Sequence, residues 1–499
     1  MMKKTPERHL FLFVLAGLLF CGSIAHGQDL EDRVIRRVLP NGLTVLLLER
    51  PLSPTVSLYI RYKAGAVDDP DSGTGAAHLL EHMLFKGTES IGPLDRAADA
   101  ELLERILQTG RELDRERARG NRADAEKLKA LSARLQDQQS RHRKTFRSNE
   151  IDRLYTMNGG VSLNASTGQD VTTYHVSLPM NRIELWARIE SDRMIRPVFR
   201  EFYSERDVVQ EERRQRTDAD PEGLLYERFM AAAFISHPYR RPILGWPSDI
   251  AFLDPAVLQS FLLHHHAPNN TVIAVVGRIR PDEVFRLIER YFGDIPRQEI
   301  PPGRLTEEPP QKGERRIRVH FDARPQLMIG WHKPALPHYD DYVFDVIEAL
   351  LSRGRTSRFY RNLVEEKGVA ESAAASSSLP GSRYPNLFAF FGTPREPHSP
   401  EALEKAVYAE IARLQEEPVP EKELAKVKNR MRADSIRELA SNEGMASRLS
   451  YYEAVAGDWR YITGHLKAID RITAEDVQRV ARTYLIPDNR TVAVLEKKR

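Results

Sequence analysis

Cysteine is all but absent from this 499-residue chain, whose single Cys21 falls in an apolar N-terminal stretch. Without that stretch the chain has no disulfide, no thiolate metal site and no cysteine nucleophile. Net charge is equally sparse. The 74 Lys and Arg against 71 Asp and Glu leave +3, and Lys3, Lys4 and Arg8 against Glu7 supply two of those charges. A balance so close to neutral excludes a general nucleic-acid binder. Nor does any segment after residue 27 carry the long apolar run that crossing a bilayer requires. What remains, 41% hydrophobic and 29% charged, is the composition of a soluble globular protein. At roughly 100–200 residues per domain, two or more domains are expected.

Residues 1–27 read as a secretory signal. Lys3 and Lys4 form a basic start, Leu10 to Phe20 is uninterrupted apolar sequence, and Ala25-His26-Gly27 offers a small-x-small cleavage site. The expected location is therefore periplasmic or secreted. The alternatives are an N-terminus retained as an anchor, for which the apolar run is short, or one lipidated at Cys21, where Phe20 is a bulky neighbour.

Beyond the signal, Val34 to Glu49 predicts strand, turn and strand about Pro40-Asn41-Gly42, and Val56 to Lys63 alternates as a half-buried strand does. Gly73 and Gly75 then precede an apolar helix over Ala76 to Phe85. Residues 93–150 differ in kind. Leu102, Leu103, Ile106 and Leu113, then Leu128, Leu131 and Leu135, recur at helical spacing among many charges, with breaks expected at Gly110 and Gly120-Asn121. The pattern predicts a charged helical hairpin, either a lid or partner contact or, more simply, a solvated insertion.

Residues 296–313 are proline-rich and poor in apolar side chains, as a linker is. The predicted division is a domain over 28–295, the linker, and a second domain over 314–499. The two parts end alike. Leu253 to Asn270 aligns without gaps on Ile472 to Asn489, matching Gln259 to Gln478, Pro268 to Pro487 and Asn270 to Asn489, and each is followed by a β-branched run. An internal repeat follows. The same alignment places His264-His265-His266 opposite Thr483-Tyr484-Leu485, an ordinary helix end, which argues for a structural role.

His78-Leu79-Leu80-Glu81-His82 carries the chemistry. On a helix the two histidines lie about 40° apart, so their rings can meet at one point. Neutral histidines ligate zinc, and a catalytic zinc needs a third protein ligand and an open position. His-x-x-Glu-His is the inverted zinc-protease motif. The flanking Leu79, Leu80, Met83, Leu84 and Phe85 predict a buried helix, where unpartnered polar groups are costly and a metal is the natural partner. For the third ligand the best segment is Glu205 to Glu212, whose end residues lie about 20° apart on one helical face. One can ligate while the other orients a histidine.

Three segments, GAAHLLEHMLFKGT (Gly75–Thr88), NGGVSLNAST (Asn158–Thr167) and ERDVVQEE (Glu205–Glu212), resemble the M16 family of inverzincin peptidases, which includes pitrilysin, insulin-degrading enzyme and the mitochondrial processing peptidase. The resemblance extends over nearly the whole chain after the signal, including Ser357-Arg358-Phe359, and in length it is to the shorter bacterial and mitochondrial-type members. It implies an α+β fold of two homologous halves, each a mainly antiparallel sheet backed by helices. It implies one zinc per chain on His78, His82 and Glu212, with Glu81 as general base and Glu205 orienting a histidine. It also implies that Gly160, Val161, Ser162, Leu163, Asn164 and Ala165 form an edge strand that pairs with the substrate backbone.

Two departures stand out. The interval from His82 to Glu212 is longer than is usual in the family, and the 93–150 hairpin accounts for the excess. Many members also carry an Arg and a Tyr seven residues apart in the second half that stabilise the oxyanion; here the matching positions are Val364 and Glu371. The expectation is thus an exported zinc endopeptidase acting on extended or unfolded peptides. A second family member would supply the missing pair, unless Arg383 or Tyr384 substitutes for it. The rival is a metal-retaining binding or assembly subunit without activity.

Overall fold

The structure, a computed structural model, describes residues 30–300 and 306–497. The expected signal therefore lies outside the described residues, as does the middle of the expected linker.

Two sheets organise the chain. The first contains β1 (Ile35–Val38), β2 (Thr44–Glu49), β3 (Thr55–Tyr62), β4 (Val161–Thr167), β5 (Thr172–Pro179) and β6 (Thr271–Gly277), in the order β1-β2-β6-β3-β5-β4. The second contains β7 (Arg315–Phe321), β8 (Gln326–Lys333), β9 (Ala370–Leu379), β10 (Asn386–Pro394) and β11 (Arg490–Lys497), in the order β7-β11-β8-β10-β9. Apart from β1 the two orders are the same. In each sheet a single parallel pair, β2 with β6 or β7 with β11, sits among antiparallel ones. The aligned segments share their local chemistry as well. Asn270 donates to the carbonyl of His265, and Asn489 to that of Tyr484, each five residues back, where a helix turns into the sheet's last strand.

Each sheet buries both faces. The inner face of the first, with Leu58, Ile60 and Tyr62 of β3, lies under the helix Ala76–Met83. Its outer face, with Leu46, Leu48 and Tyr59, packs against Met445, Ala446 and Leu449 of the helix Asn442–Val455, which belongs to the second half of the chain. The exchange is reciprocal. Phe229, Met230 and Ala233 of the helix Pro221–Ala233 cover Met328, Leu387 and Leu495 of the second sheet. Gly330 of β8 makes room for this, since a Cβ there would stand 2.6 Å from the Phe229 ring.

The 93–150 segment is a hairpin of helices Arg96–Arg117 and Ala125–His142. Gly120 turns the chain between them with a φ of 57°. Gly110 is no break: the first helix runs through it, and a Cβ there would come within 2.0 Å of the Tyr203 ring. The glycine is a seat for a neighbouring helix. Nor is the hairpin simply a solvated insertion, because its inner face buries Asp99, Thr109, Glu116 and His142 along with Ile106 and Leu113.

Candidate metal centre

The histidine helix is fixed at its start. Asp69 is buried and accepts from the backbone N–H groups of Gly75 and Ala77 at 2.7 and 2.8 Å, satisfying donors that a helix N-terminus leaves open. Gly75 has a φ of 89°, and a Cβ there would meet the Leu244 carbonyl oxygen at 2.6 Å, so only glycine fits this entry. Ala76, Ala77, Leu79, Leu80 and Met83 fill the core beneath, leaving His78 and His82 on the other face with their ring centroids 4.7 Å apart.

Opposite runs the helix Phe202–Arg213. Phe202 and Val209 anchor it in the core, and Glu205 and Glu212 face the histidines. One donor atom each from His78, His82 and Glu212 falls within a mutual 4.8 Å. Glu212 Oε2 lies 3.8 Å from His78 Nε2 and 3.5 Å from His82 Nε2, too far for good hydrogen bonds. A tetrahedral zinc with bonds of about 2.0–2.2 Å separates its ligand atoms by roughly 3.3–3.6 Å. The 3.5 Å separation falls in that range and the 3.8 Å one just outside it, so the donor set suits zinc better than a hydrogen-bonded network of its own.

Electrostatics agree with that fit. Burial pushes the His78 pKa down to about 3, so its imidazole is neutral, the form that ligates. Burial would raise Glu205, but His82 and Lys86 outweigh it and bring the carboxyl down to about 2. Glu205 Oε1 meets His82 Nδ1 at 2.9 Å, which fixes that ring and leaves Nε2 directed at Glu212. Glu81 stands beside the cluster with its pKa raised by burial, an effect that a hydrogen bond from Thr167 partly offsets. That bond, from Thr167 Oγ1 to Glu81 Oε2 at 2.6 Å, ties the carboxylate to the last residue of β4.

Among the described residues strand β4 is the free edge of the first sheet, paired on one side only with β5. Its register slips between Val161 and Asn164, and Ser162 has a φ of 52°. The strand begins at Val161. Gly160, expected within it, instead returns its N–H to the Tyr155 carbonyl at the end of the preceding helix.

Sequence reasoning missed three neighbours. Lys86 reaches Glu205 Oε2 at 2.6 Å, Arg216 takes Glu212 Oε1 at 2.9 Å, and Thr167 holds Glu81. The first two were open to discovery, since Lys86 lies four residues past His82 and Arg216 four past Glu212. Thr167 lies in the Asn158–Thr167 segment, where nothing in the sequence marks it as a partner of Glu81.

The second-half positions stand elsewhere. Val364 packs against the second core, and Glu371 on β9 pairs with Arg324 at 3.0 Å. Arg383 binds Asp68 at 3.2 Å and the Lys63 carbonyl, while Tyr384 packs at an angle against the rings of His237 and Tyr239. No hydrogen bond joins either to His78, Glu81, His82 or Glu212 among the described residues. In the histidine triplet, His266 stacks on Tyr62 at 3.9 Å and His264 Nδ1 bonds the Ser260 carbonyl, so these side chains serve local packing.

The chain is similar to known proteins. Residues 44–103 and 119–246 match the family model described as Insulinase (Peptidase family M16), and residues 253–431 match that of the Peptidase M16 inactive domain. The gap in the first match falls inside the hairpin. The chain is 27% identical over 490 residues to a zinc protease of Helicobacter pylori named PqqE, covering 96% of each chain. It is 26% identical to an uncharacterized zinc protease of Mycobacterium leprae, covering 91% of this chain and 89% of that one. Among solved structures, a Helicobacter pylori protease superposes with a TM-score of 0.78 at 25% identity, over 93% of this chain and 99% of that one. The periplasmic protease PqqL of Escherichia coli shares the fold at a TM-score of 0.69 and 17% identity, with 93% of this chain matched to 48% of the other.

Proposed function

This chain belongs to the M16 family of peptidases, and from that premise we propose that it is an exported zinc endopeptidase that cleaves extended or unfolded peptides. The observation that carries the reading is the position of Glu81, beside a three-donor cluster and bonded to the end of an edge strand.

His78, His82 and Glu212 would hold the zinc. When bound, zinc polarises a scissile carbonyl and lowers the pKa of water to near neutral. Every other part of the work falls to the chain. Strand β4 offers unpaired backbone groups, to which a peptide adds as a further strand. Because Thr167 ends that strand and holds Glu81 Oε2, a peptide laid along β4 is led to the carboxylate. Glu81 Oε1 is left to take the proton of the attacking water and return it to the leaving amine. Pairing through backbone groups selects an extended shape more than a sequence, which suits unfolded substrates.

The oxyanion needs donors that Val364 and Glu371 do not offer, and Arg383 is engaged with Asp68. A second M16-type subunit carrying the Arg and Tyr would complete the site, with zinc chemistry supplied by this chain. Export rests on the basic and apolar pattern of residues 1–27.

The test is elemental analysis and peptide cleavage by the purified chain, alone and mixed with a family member that carries the pair. The reading predicts about one zinc per chain and cleavage that a chelator abolishes. It also predicts a rate about 10²–10³-fold higher in the mixture, the usual worth of an oxyanion donor. Cleavage that survives complete zinc removal contradicts the zinc-dependent mechanism, and no cleavage by the zinc-loaded chain, alone or mixed, contradicts the peptidase reading. A fully active chain, unaffected by any second subunit, removes the need for a partner.

A further inference from the structure

The outer face of the first sheet holds a charge that the proposed reaction does not use. Arg61 of β3 points away from the histidine helix, since its neighbours Ile60 and Tyr62 occupy the inner core. It lines a half-open cavity of about 400 Å³ between that sheet and the second half of the chain. Such a volume lies in the range of small-molecule sites.

Arg61 is only 5% exposed, and its Nε has no hydrogen-bond partner among the described residues. Among the described residues no carboxylate pairs with it. Its guanidinium lies 5.2 Å from the Tyr451 ring centre. Burial depresses its pKa to about 10, with Tyr451 and Tyr59 opposing the shift and the like-charged Arg448 adding to it.

The other charges around the cavity are matched. Asp345 accepts from His465 at 2.7 Å, and Asp341 pairs with Lys333. Arg353 meets Glu348 at 3.1 Å, and Arg448 pairs with Glu438. Asp434 meets Arg437 at 3.1 Å. Arg61 is therefore the one lining cation without an acid among the described residues, and an uncompensated buried charge is a cost that folds seldom carry without use. Serine hydroxyls at Ser377, Ser378 and Ser447 also line the space and can donate to further oxygens.

We propose that this cavity is a binding site for a small oxyanion, its acidic group seated on Arg61 between the two halves. The chemistry required is a carboxylate or phosphate in contact with a guanidinium. Two sources supply it, the C-terminal carboxylate of a short peptide and free phosphate. The site is separate from the metal centre, because the sheet lies between them.

Titration calorimetry on the full chain tests this with three probes: acetyl-trialanine, its C-terminal amide, and inorganic phosphate. The wild type is compared with Arg61→Lys, Arg61→Met and Ser447→Asp. Arg61→Met removes a buried charge and should fold; an unchanged or raised melting temperature checks it. Ser447→Asp supplies the missing acid from the facing helix and does not depend on that fold being tolerated.

The wild type should bind at least one of the two anions, and both Arg61→Met and Ser447→Asp should weaken binding by about tenfold or more, the loss of one charge-assisted pair. Arg61→Lys should retain most of it. Preference for the free peptide over its amide and over phosphate identifies a peptide terminus; phosphate binding as tightly or tighter identifies a free oxyanion. The proposal is overturned if neither anion binds at millimolar concentration. It is equally overturned if Arg61→Met, or Ser447→Asp where that variant alone folds, binds as the wild type does, which would place the anion at the metal.

Discussion

His82 connects the residues of the site, reaching Glu212 through one ring nitrogen and Glu205 through the other. Outer partners of this kind govern metal affinity. Glu205→Ala should weaken zinc binding by about 10–100-fold in competition with a chelator while leaving the fold intact. Unchanged affinity would mean that Lys86, which Glu205 also holds, is the reason for the carboxylate. Thr167 acts on a different quantity. Thr167→Val removes the hydroxyl that holds Glu81 and should reduce kcat by about 10–100-fold with zinc content unchanged, as loss of a hydrogen bond to a charged group implies. A change in KM alone would instead assign Thr167 to peptide binding. The histidines and both glutamates were legible because helical spacing fixes which side chains share a face. Thr167 was not, because its partner lies on another element and only the packed sheet brings them together.

At the scale of elements, the hairpin braces the helix that carries Glu205 and Glu212. Arg206, 2% exposed, makes a two-pronged contact with Asp114 at 2.7 and 2.9 Å. Arg200, fully buried just before the same helix, binds Asp99, which His142 also contacts at 2.9 Å. Removing one partner of such a pair strands a buried guanidinium. Asp114→Ala should therefore cost about 3 kcal/mol in chemical denaturation. It should also lower zinc affinity, because the brace and the ligand share a helix. Loss of stability with zinc affinity intact would reduce the hairpin to a structural role. The spacing of Ile106, Leu113, Leu131 and Leu135 made the two helices readable from the sequence. Gly110 misled, since a glycine records where a side chain is missing and not what fills the space, here Tyr203.

For the molecule as a whole, the exchange of helices makes each half part of the other's core. Phe229, fully buried against the second sheet, lies on a helix of the first half. Phe229→Ala should cost about 3–5 kcal/mol and lower the unfolding of both halves together, seen as one shifted transition in calorimetry. Two separate transitions, with only one displaced, would show the halves to be independent. The repeat could be read from aligned residues such as Asn270 and Asn489, and the sheet topology bears out that likeness. The exchange could not be read, because an apolar helix face states that it needs cover without stating which sheet provides it.

If His78, His82 and Glu212 hold a zinc at which Glu81 moves the proton, Glu81→Gln separates metal binding from chemistry. The amide keeps the size of the side chain and cannot accept that proton. Zinc content and peptide cleavage are measured on the same preparation of this variant. The expected result is about one zinc per chain, as in the wild type, with turnover lower by about 10²–10⁴-fold. Near-normal turnover with zinc present would contradict it.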